Sequence, residues 1–287
     1  MRPLVAIVIL HATLNATLPV ALQAQVQFHH LALNTTDPES AIRFYTSHFD
    51  CERGKFDGKV DAVKVQKSWL LFNKVKQAPA ASIESAIWHF GWGAEDMKKT
   101  YAAQLEKGTQ FDTPLTDISD LARVPGFYYA YVSGPDGALI ELNTAAHHRF
   151  GHLHLFSADP VAAAEWWAKH FGVKWPSAGR PPIREKRMYR EFQVGPSANF
   201  MVGDVNVIIY PLGYLKGRTA LVSTQGRVVD HVGLAVPDLS ATLAKLRQDG
   251  VRVIAGVKKM KGTSVKVAVI EGPDKLAIQL VEQRTGQ

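Results

Sequence analysis

HLALNTTD, running from His30 to Asp37, returns in altered form three more times: HFGWGAED from His89 to Asp96, HLHLFSAD from His152 to Asp159, and HVGLAVPD from His231 to Asp238. Each stretch opens with histidine, continues as a short apolar strand, and reaches an aspartate seven residues later. That aspartate suits a helix N-cap, because its carboxylate can accept from the free N–H groups of a first helical turn. Pro38 and Pro160 follow two of the four aspartates. A proline there predicts the first helical position, where its missing N–H loses no partner. Four strand-to-helix starts in one register mark an internal repeat.

The copies are of two alternating kinds. Copies one and three carry Phe44-Tyr45 and Trp166-Trp167 and close in His48-Phe49 and His170-Phe171. Copies two and four carry Leu105 and Leu246 late in the helix, then Gly108 and Gly250 as C-cap candidates. They alone end in a Gly-Pro-Asp turn, at Gly134 to Asp136 and at Gly272 to Asp274. An odd copy followed by an even copy is the larger unit, and it occurs twice, with the break near His147 to Phe150. The expected division is 25–146 for modules one and two and 149–285 for modules three and four. Each pair should supply a complete barrel.

Outward from the repeat, 287 residues exceed what one hydrophobic core usually organises. The 46% hydrophobic and 21% charged residues describe a globular chain. Net charge is +7, spread along the sequence. Its densest cluster, Lys258, Lys259 and Lys261, lacks interleaved aromatics and reads as a solvated turn, so no nucleic-acid partner is expected. Cys51 is the sole cysteine, which excludes an internal disulfide and any multi-cysteine metal cluster. Met1-Arg2 followed by the apolar run Pro3 to Leu10, and ending at Ala24, has the pattern of a signal peptide. His11, Asn15 and Pro19 interrupt that run well short of the ~20 apolar residues a spanning helix needs. The expectation is an exported protein, periplasmic or secreted, with residues 1–24 removed and no membrane association afterwards.

The pattern of histidine, six residues, aspartate and helix, closed by Gly134-Pro135-Asp136-Gly137 and then Ile140-Glu141-Leu142, resembles the vicinal oxygen chelate superfamily. The resemblance covers nearly the whole chain after the leader. It implies an α+β fold of four βαβββ modules paired into two half-open β-barrels. Glyoxalase I, methylmalonyl-CoA epimerases, fosfomycin-modifying enzymes, extradiol dioxygenases and bleomycin-sequestering proteins share that plan.

Alternate side chains of a strand share a face. His30, Ala32 and Asn34 should therefore face a barrel hollow, with His29, Leu31 and Leu33 on the other side. His89 should face a hollow with Gly91 and Gly93. Glu141 stands between the apolar Ile140 and Leu142, and a buried carboxylate costs several kcal/mol unless paired or bound to a cation. The resemblance makes His30, His89 and Glu141 the ligands of one divalent ion, for which Fe(II), Zn and Mn all remain open. The alternative is that these side chains merely pair with each other. A weaker second site would use His152, His231 and Gln279, glutamine replacing the carboxylate. Tyr129, Tyr131 and His154 are candidates to line the pocket.

Glyoxalase I has a fourth ligand, a carboxylate closing its first module. Here that strand reads Trp69-Leu70-Leu71-Phe72, and its counterpart Val207-Ile208-Ile209-Tyr210, neither acidic. The histidine that the extradiol signature places before the closing tyrosine is also missing, since Arg123 to Gly126 occupy that stretch. Catalytic residues therefore stay unassigned. Two functions are expected to compete. One is a metalloenzyme, of dioxygenase, lyase or isomerase type, that chelates a small organic substrate through vicinal oxygens. The other is a non-catalytic sequestering protein of the bleomycin-resistance type. The expected partner is a small molecule, with a homo-oligomer left open.

Overall fold

In the computed structural model, which describes residues 26–177, 182–215, 217 and 220–282, each repeat becomes one βαβββ module. Module 1 is β1 (Gln27–Thr35), α1 (Pro38–His48), β2 (Glu52–Phe56), β3 (Val60–Val65) and β4 (Ser68–Lys74). Module 2 is β5 (Ile87–Ala94), α2 (Met97–Glu106), β6 (Phe111–Asp117), the single turn α3 (Ser119–Ala122), β7 (Tyr128–Ser133) and β8 (Leu139–Thr144). Module 3 is β9 (Phe150–Ser157), α4 (Pro160–Phe171), β10 (Ile183–Tyr189), β11 (Phe192–Val202) and β12 (Val205–Pro211). Module 4 is β13 (Val229–Val236), α5 (Leu239–Gln248), β14 (Val253–Lys259), β15 (Lys266–Glu271) and β16 (Ala277–Glu282).

The four aspartates cap as their spacing suggests. Asp37 accepts from Ser40 N, Asp96 from Lys99 N, Asp159 from Val161 N and Ala162 N, and Asp238 from Ala241 N. Gly108 and Gly250 follow α2 and α5 with φ of 77° and 80°, a left-handed backbone that favours glycine. No helix among the described residues is long and apolar enough to cross a membrane. The expected signal peptide lies outside the described residues.

The modules do not pair as their order along the chain suggests. One eight-stranded sheet runs β14-β15-β16-β13-β1-β4-β3-β2, and the other runs β10-β11-β12-β9-β5-β8-β7-β6. Module 1 thus shares a sheet with module 4, and module 2 with module 3. The joints are antiparallel, β1 on β13 and β5 on β9. This corrects the expected barrels of modules one with two and three with four. The physical reason is that every module offers the same free edge, its opening strand, and four edges of one pattern do not say which two will meet. Odd does pair with even, but across the chain. Modules adjacent in sequence touch through their turns instead: Asp136 of the Gly-Pro-Asp turn accepts from Thr36 Oγ1 at 2.9 Å, and Asp274 from Ala158 N at 3.1 Å.

Each sheet curls into an open cup whose far ends are tied by side chains. In the 1/4 sheet Asp57 accepts from Ser264 N and Oγ at 2.6 and 2.8 Å. In the 2/3 sheet Tyr189 Oη donates to Asp120 Oδ1 at 2.7 Å. One apolar cluster connects the two sheets behind the cups. Phe28 of β1 meets Phe150 of β9 with ring centroids 5.7 Å apart, and Tyr45 of α1 stacks on Trp92 of β5 at 6.2 Å.

Candidate metal centre

Three neighbouring strands, β8, β5 and β9, build the floor of the 2/3 cup. Gly91 on β5 is in register with Glu141 on one side and His152 on the other. One row along, His89 is paired directly with His154. The alternation sends Phe90, Trp92, Leu153 and Leu155 into the core behind the sheet, and the polar residues into the hollow. A Cβ on Gly91 would collide with the Glu141 carbonyl oxygen and stand 2.5 Å from His152 Nε2. Glycine is what lets the imidazole lie over β5.

The result is a buried polar cluster. His89 is 0% exposed, Glu141 and His152 5%, and His154 7%. His89 Nε2 lies 2.7 Å from Glu141 Oε2, His152 Nε2 lies 3.9 Å from Oε1, and His154 Nδ1 lies 3.9 Å from Oε2. The ligand atoms of the three imidazoles fall within 4.8 Å of one another. Asn143 Nδ2 donates to Glu141 Oε1 at 2.9 Å and fixes the carboxylate plane. Burial pushes the His152 pKa down to about 4, with Glu141 pulling the other way, and burial also sets His89 and His154 well below the usual histidine range. All three rings are neutral at pH 7, as metal ligation requires.

The close contact between His89 and Glu141 is not a hydrogen bond. Both ring nitrogens of His89, and Nε2 of His152, are buried without a hydrogen-bond partner. Orphaned polar atoms at such depth cost ~1–3 kcal/mol each. Three imidazole nitrogens within 4.8 Å of one another, beside a carboxylate, are a donor set that a divalent cation satisfies. Ligands ~2.1 Å from a common ion stand ~3 Å apart when adjacent and ~4.2 Å apart when opposed; the two 3.9 Å spacings to Glu141 fall in that interval, and the 2.7 Å spacing of His89 lies just below it. The donor set of imidazoles and one carboxylate suits Zn, Fe(II) or Mn.

Aromatic rings wall the cluster. Tyr131 is in register with Glu141, and its ring centroid is 4.9 Å from that of His89. Trp88 stands 4.5 Å from His89, Tyr210 5.5 Å from His154, and Tyr214 4.5 Å from Trp88. Burial, reinforced by Glu141, raises the pKa of Tyr131 and Tyr210, so these phenols stay protonated and keep a proton to donate. Tyr129, half-buried, follows Tyr131 on the same face.

The 1/4 sheet repeats this plan with a different outcome. His30, Gly233 and Gln279 occupy the register positions of His152, Gly91 and Glu141, and His231 that of His89. The expected trio of His30, His89 and Glu141 is therefore split, as is that of His152, His231 and Gln279. His30 and His152 exchange places, because the modules pair across the chain. His29 also departs from its expected face. It sits at a register shift and turns beside His30, with Nδ1 atoms 2.8 Å apart.

A second register shift, at Asp230, places its carboxylate 2.6 Å from His231 Nδ1. His231 Nε2 then lies 3.3 Å from His30 Nε2 with hydrogen-bond geometry. Burial opposes ionisation of Asp230, but hydrogen bonds from His231, Gly226 and Asn34 hold its pKa below the usual value. Asp230, His231, His30 and His29 thus form one hydrogen-bonded line. The cup itself is filled by Phe56, Ala62, Leu71, Val265, Val267 and Val281.

Sequence reading missed Asn143, although its position two beyond Glu141 signals a shared face. It also missed Trp88, Tyr210 and Tyr214, which come into the cup from a register shift and from module 3.

A family profile described as Glyoxalase/Bleomycin resistance protein/Dioxygenase superfamily matches residues 27–142 and 149–280. Among solved structures, glyoxalase I from Zea mays superposes with a TM-score of 0.68 at 16% identity, over 90% of this chain and 92% of that one. A point mutant of that protein gives 0.67 at 15%, over 90% and 94%. A provisionally named dioxygenase from Bacillus subtilis subsp. subtilis str. 168 gives 0.61 at 13%, over 92% and 87%. At these identities the likeness is one of fold. No curated protein matches the chain.

Proposed function

Because the chain belongs to the glyoxalase, bleomycin resistance protein and dioxygenase superfamily, we propose that its 2/3 cup is the working site of a divalent-metal-dependent enzyme acting on a small organic substrate through two neighbouring oxygens. The observation that carries this is Glu141, a carboxylate 5% exposed, facing orphaned nitrogens of His89 and His152. These three side chains, with His154, would hold the ion, which when bound supplies Lewis-acid polarisation of the substrate oxygens. Asn143 orients the carboxylate and Gly91 leaves room for His152. Tyr131, protonated beside His89, can donate to a substrate oxygen. Trp88, Tyr210 and Tyr214 keep water from the floor of the cup. On the same reading Met1 to Ala24 is an export leader, and the protein works outside the cytoplasm.

Elemental analysis of protein isolated from the exported fraction without chelators tests this. The expected content is about one divalent ion per chain, Fe(II), Zn or Mn, as one such site holds one ion. Glu141→Ala should lose most of it, and Gln279→Ala should change it little. A small ligand held as tightly in the presence of a chelator would turn the reading to sequestration without chemistry. An intact mass that retains residues 1–24 would remove the export part.

A further inference from the structure

In each cup one row of side chains crosses five strands. In the 2/3 cup the row is Asn206 on β12, His152 on β9, Gly91 on β5, Glu141 on β8 and Tyr131 on β7, each in register with the next. In the 1/4 cup it is Trp69, His30, Gly233, Gln279 and Val269. The three middle positions differ only at the carboxylate. Both ends differ as well: polar groups flank the row that carries Glu141, and apolar groups flank the row that has lost it. This ties Asn206 to the work of one cup rather than to the fold that both share.

Asn206 stands on the cup face, because its neighbours Val205 and Val207 enter the core cluster on the other side of the sheet. Its Oδ1 is buried and has no hydrogen-bond partner. Nor does it stand where β12 would supply a metal ligand. In the repeat His154 corresponds to Gly91, whose partner on the closing strand is Glu141, and the partner of His154 is Ile208. Asn206 lies two residues short of that position. An amide oxygen left unpaired at such depth is costly unless something that enters the cup satisfies it.

We propose that Asn206 is a specificity-determining residue of the 2/3 cup, its Oδ1 accepting a hydrogen bond from a substrate that carries an N–H or hydroxyl donor beside its chelating oxygens. This rests on the metal-dependent reading above. Tyr131, at the opposite end of the row, keeps its proton and donates. The row thus offers an acceptor at one end and a donor at the other. A chelator with no donor leaves the buried amide unpaired, and a site built around such a bond rejects it for that reason.

The test uses the full-length protein loaded with Co(II), whose visible absorption reports ligands that reach the ion. The probes are acetohydroxamate and N-methylacetohydroxamate, which chelate through the same two oxygens while only the first carries an N–H. The wild type should prefer acetohydroxamate by ~10-fold or more, the effect of leaving one buried polar group unpaired. Asn206→Leu, of similar volume, should lose that preference. Its Co(II) affinity should match the wild type, and the urea midpoint of its metal-free form should not fall, because an apolar group replaces an orphaned one. A preference that survives in Asn206→Leu is steric and overturns the assignment. So does a Co(II) affinity reduced ~10-fold or more, which would put Asn206 in the metal's own surroundings, and so does a lowered urea midpoint, which would make it a residue of the fold. A wild type that takes up Co(II) but binds both probes equally overturns this inference alone. One that takes up no Co(II) overturns the metal reading itself, and this inference with it.

Discussion

His152 and His29 are both held near a pKa of about 4 by burial, far below the 6.5 of an exposed imidazole. Unfolding releases them to titrate normally, so between about 6.5 and about 4 the unfolded chain binds more protons than the folded one. Stability therefore rises with pH across that window, and is lost as pH falls from the unfolded toward the folded value. Urea midpoints of the metal-free protein should decline from pH 7 to pH 4 and go on falling below it, as the carboxylates held below their usual pKa, Asp230 among them, take up protons. A flat profile would mean that these rings are hydrated. At this scale the sequence was informative about identity and silent about company. The ligand-competent types His30, His89, His152, His231, Glu141 and Gln279 all stand out from their apolar neighbours, yet which histidine reaches which carboxylate depends on a pairing that no single residue encodes.

The strand is the scale at which that company is decided. Period-two alternation correctly placed His89, Gly91 and Glu141 toward a hollow, and the capping aspartates marked the helix starts. What alternation cannot reveal is a register shift, because an extra residue in one strand leaves no trace in the pattern of apolar and polar types. Trp88, His29 and Asp230 reach their positions through such shifts. The spacing across β8, β5 and β9 gives a direct test. Gly91→Ala puts a methyl group against the Glu141 backbone and the His152 ring, so metal affinity should fall by about 10- to 100-fold, the cost of disturbing ligand orientation. Gly256→Ala on β14 meets only Arg247 Nη2 at 3.8 Å and should leave it unchanged. Equal affinity in the two variants would show that β5 has more room than its geometry allows.

For the whole molecule, the two halves of the sequence are not two halves of the structure. Cutting near residues 145–149 would leave modules 1 and 2 with the free edges of β1 and β5, and modules 3 and 4 with those of β9 and β13. Unpaired edges of that length seek partners. Separately produced halves should each associate with themselves, and on mixing should form a one-to-one complex that regains metal. Size-exclusion chromatography with light scattering reads both outcomes. A half that is monomeric and melts cooperatively would contradict the pairing.

The crossed pairing also has a hereditary side. If the same two cups were assembled from two identical half-length chains, symmetry would make them alike, and a substitution in one would appear at once in the other. Writing all four modules into one chain frees each cup to follow its own course. Gln279 could replace a carboxylate, and Phe56 and Val267 could close one cup, while Glu141 stayed at the floor of the other. Such a chain can lose an entire site and keep its fold, because the strands that once served the lost site still hold up the one that remains.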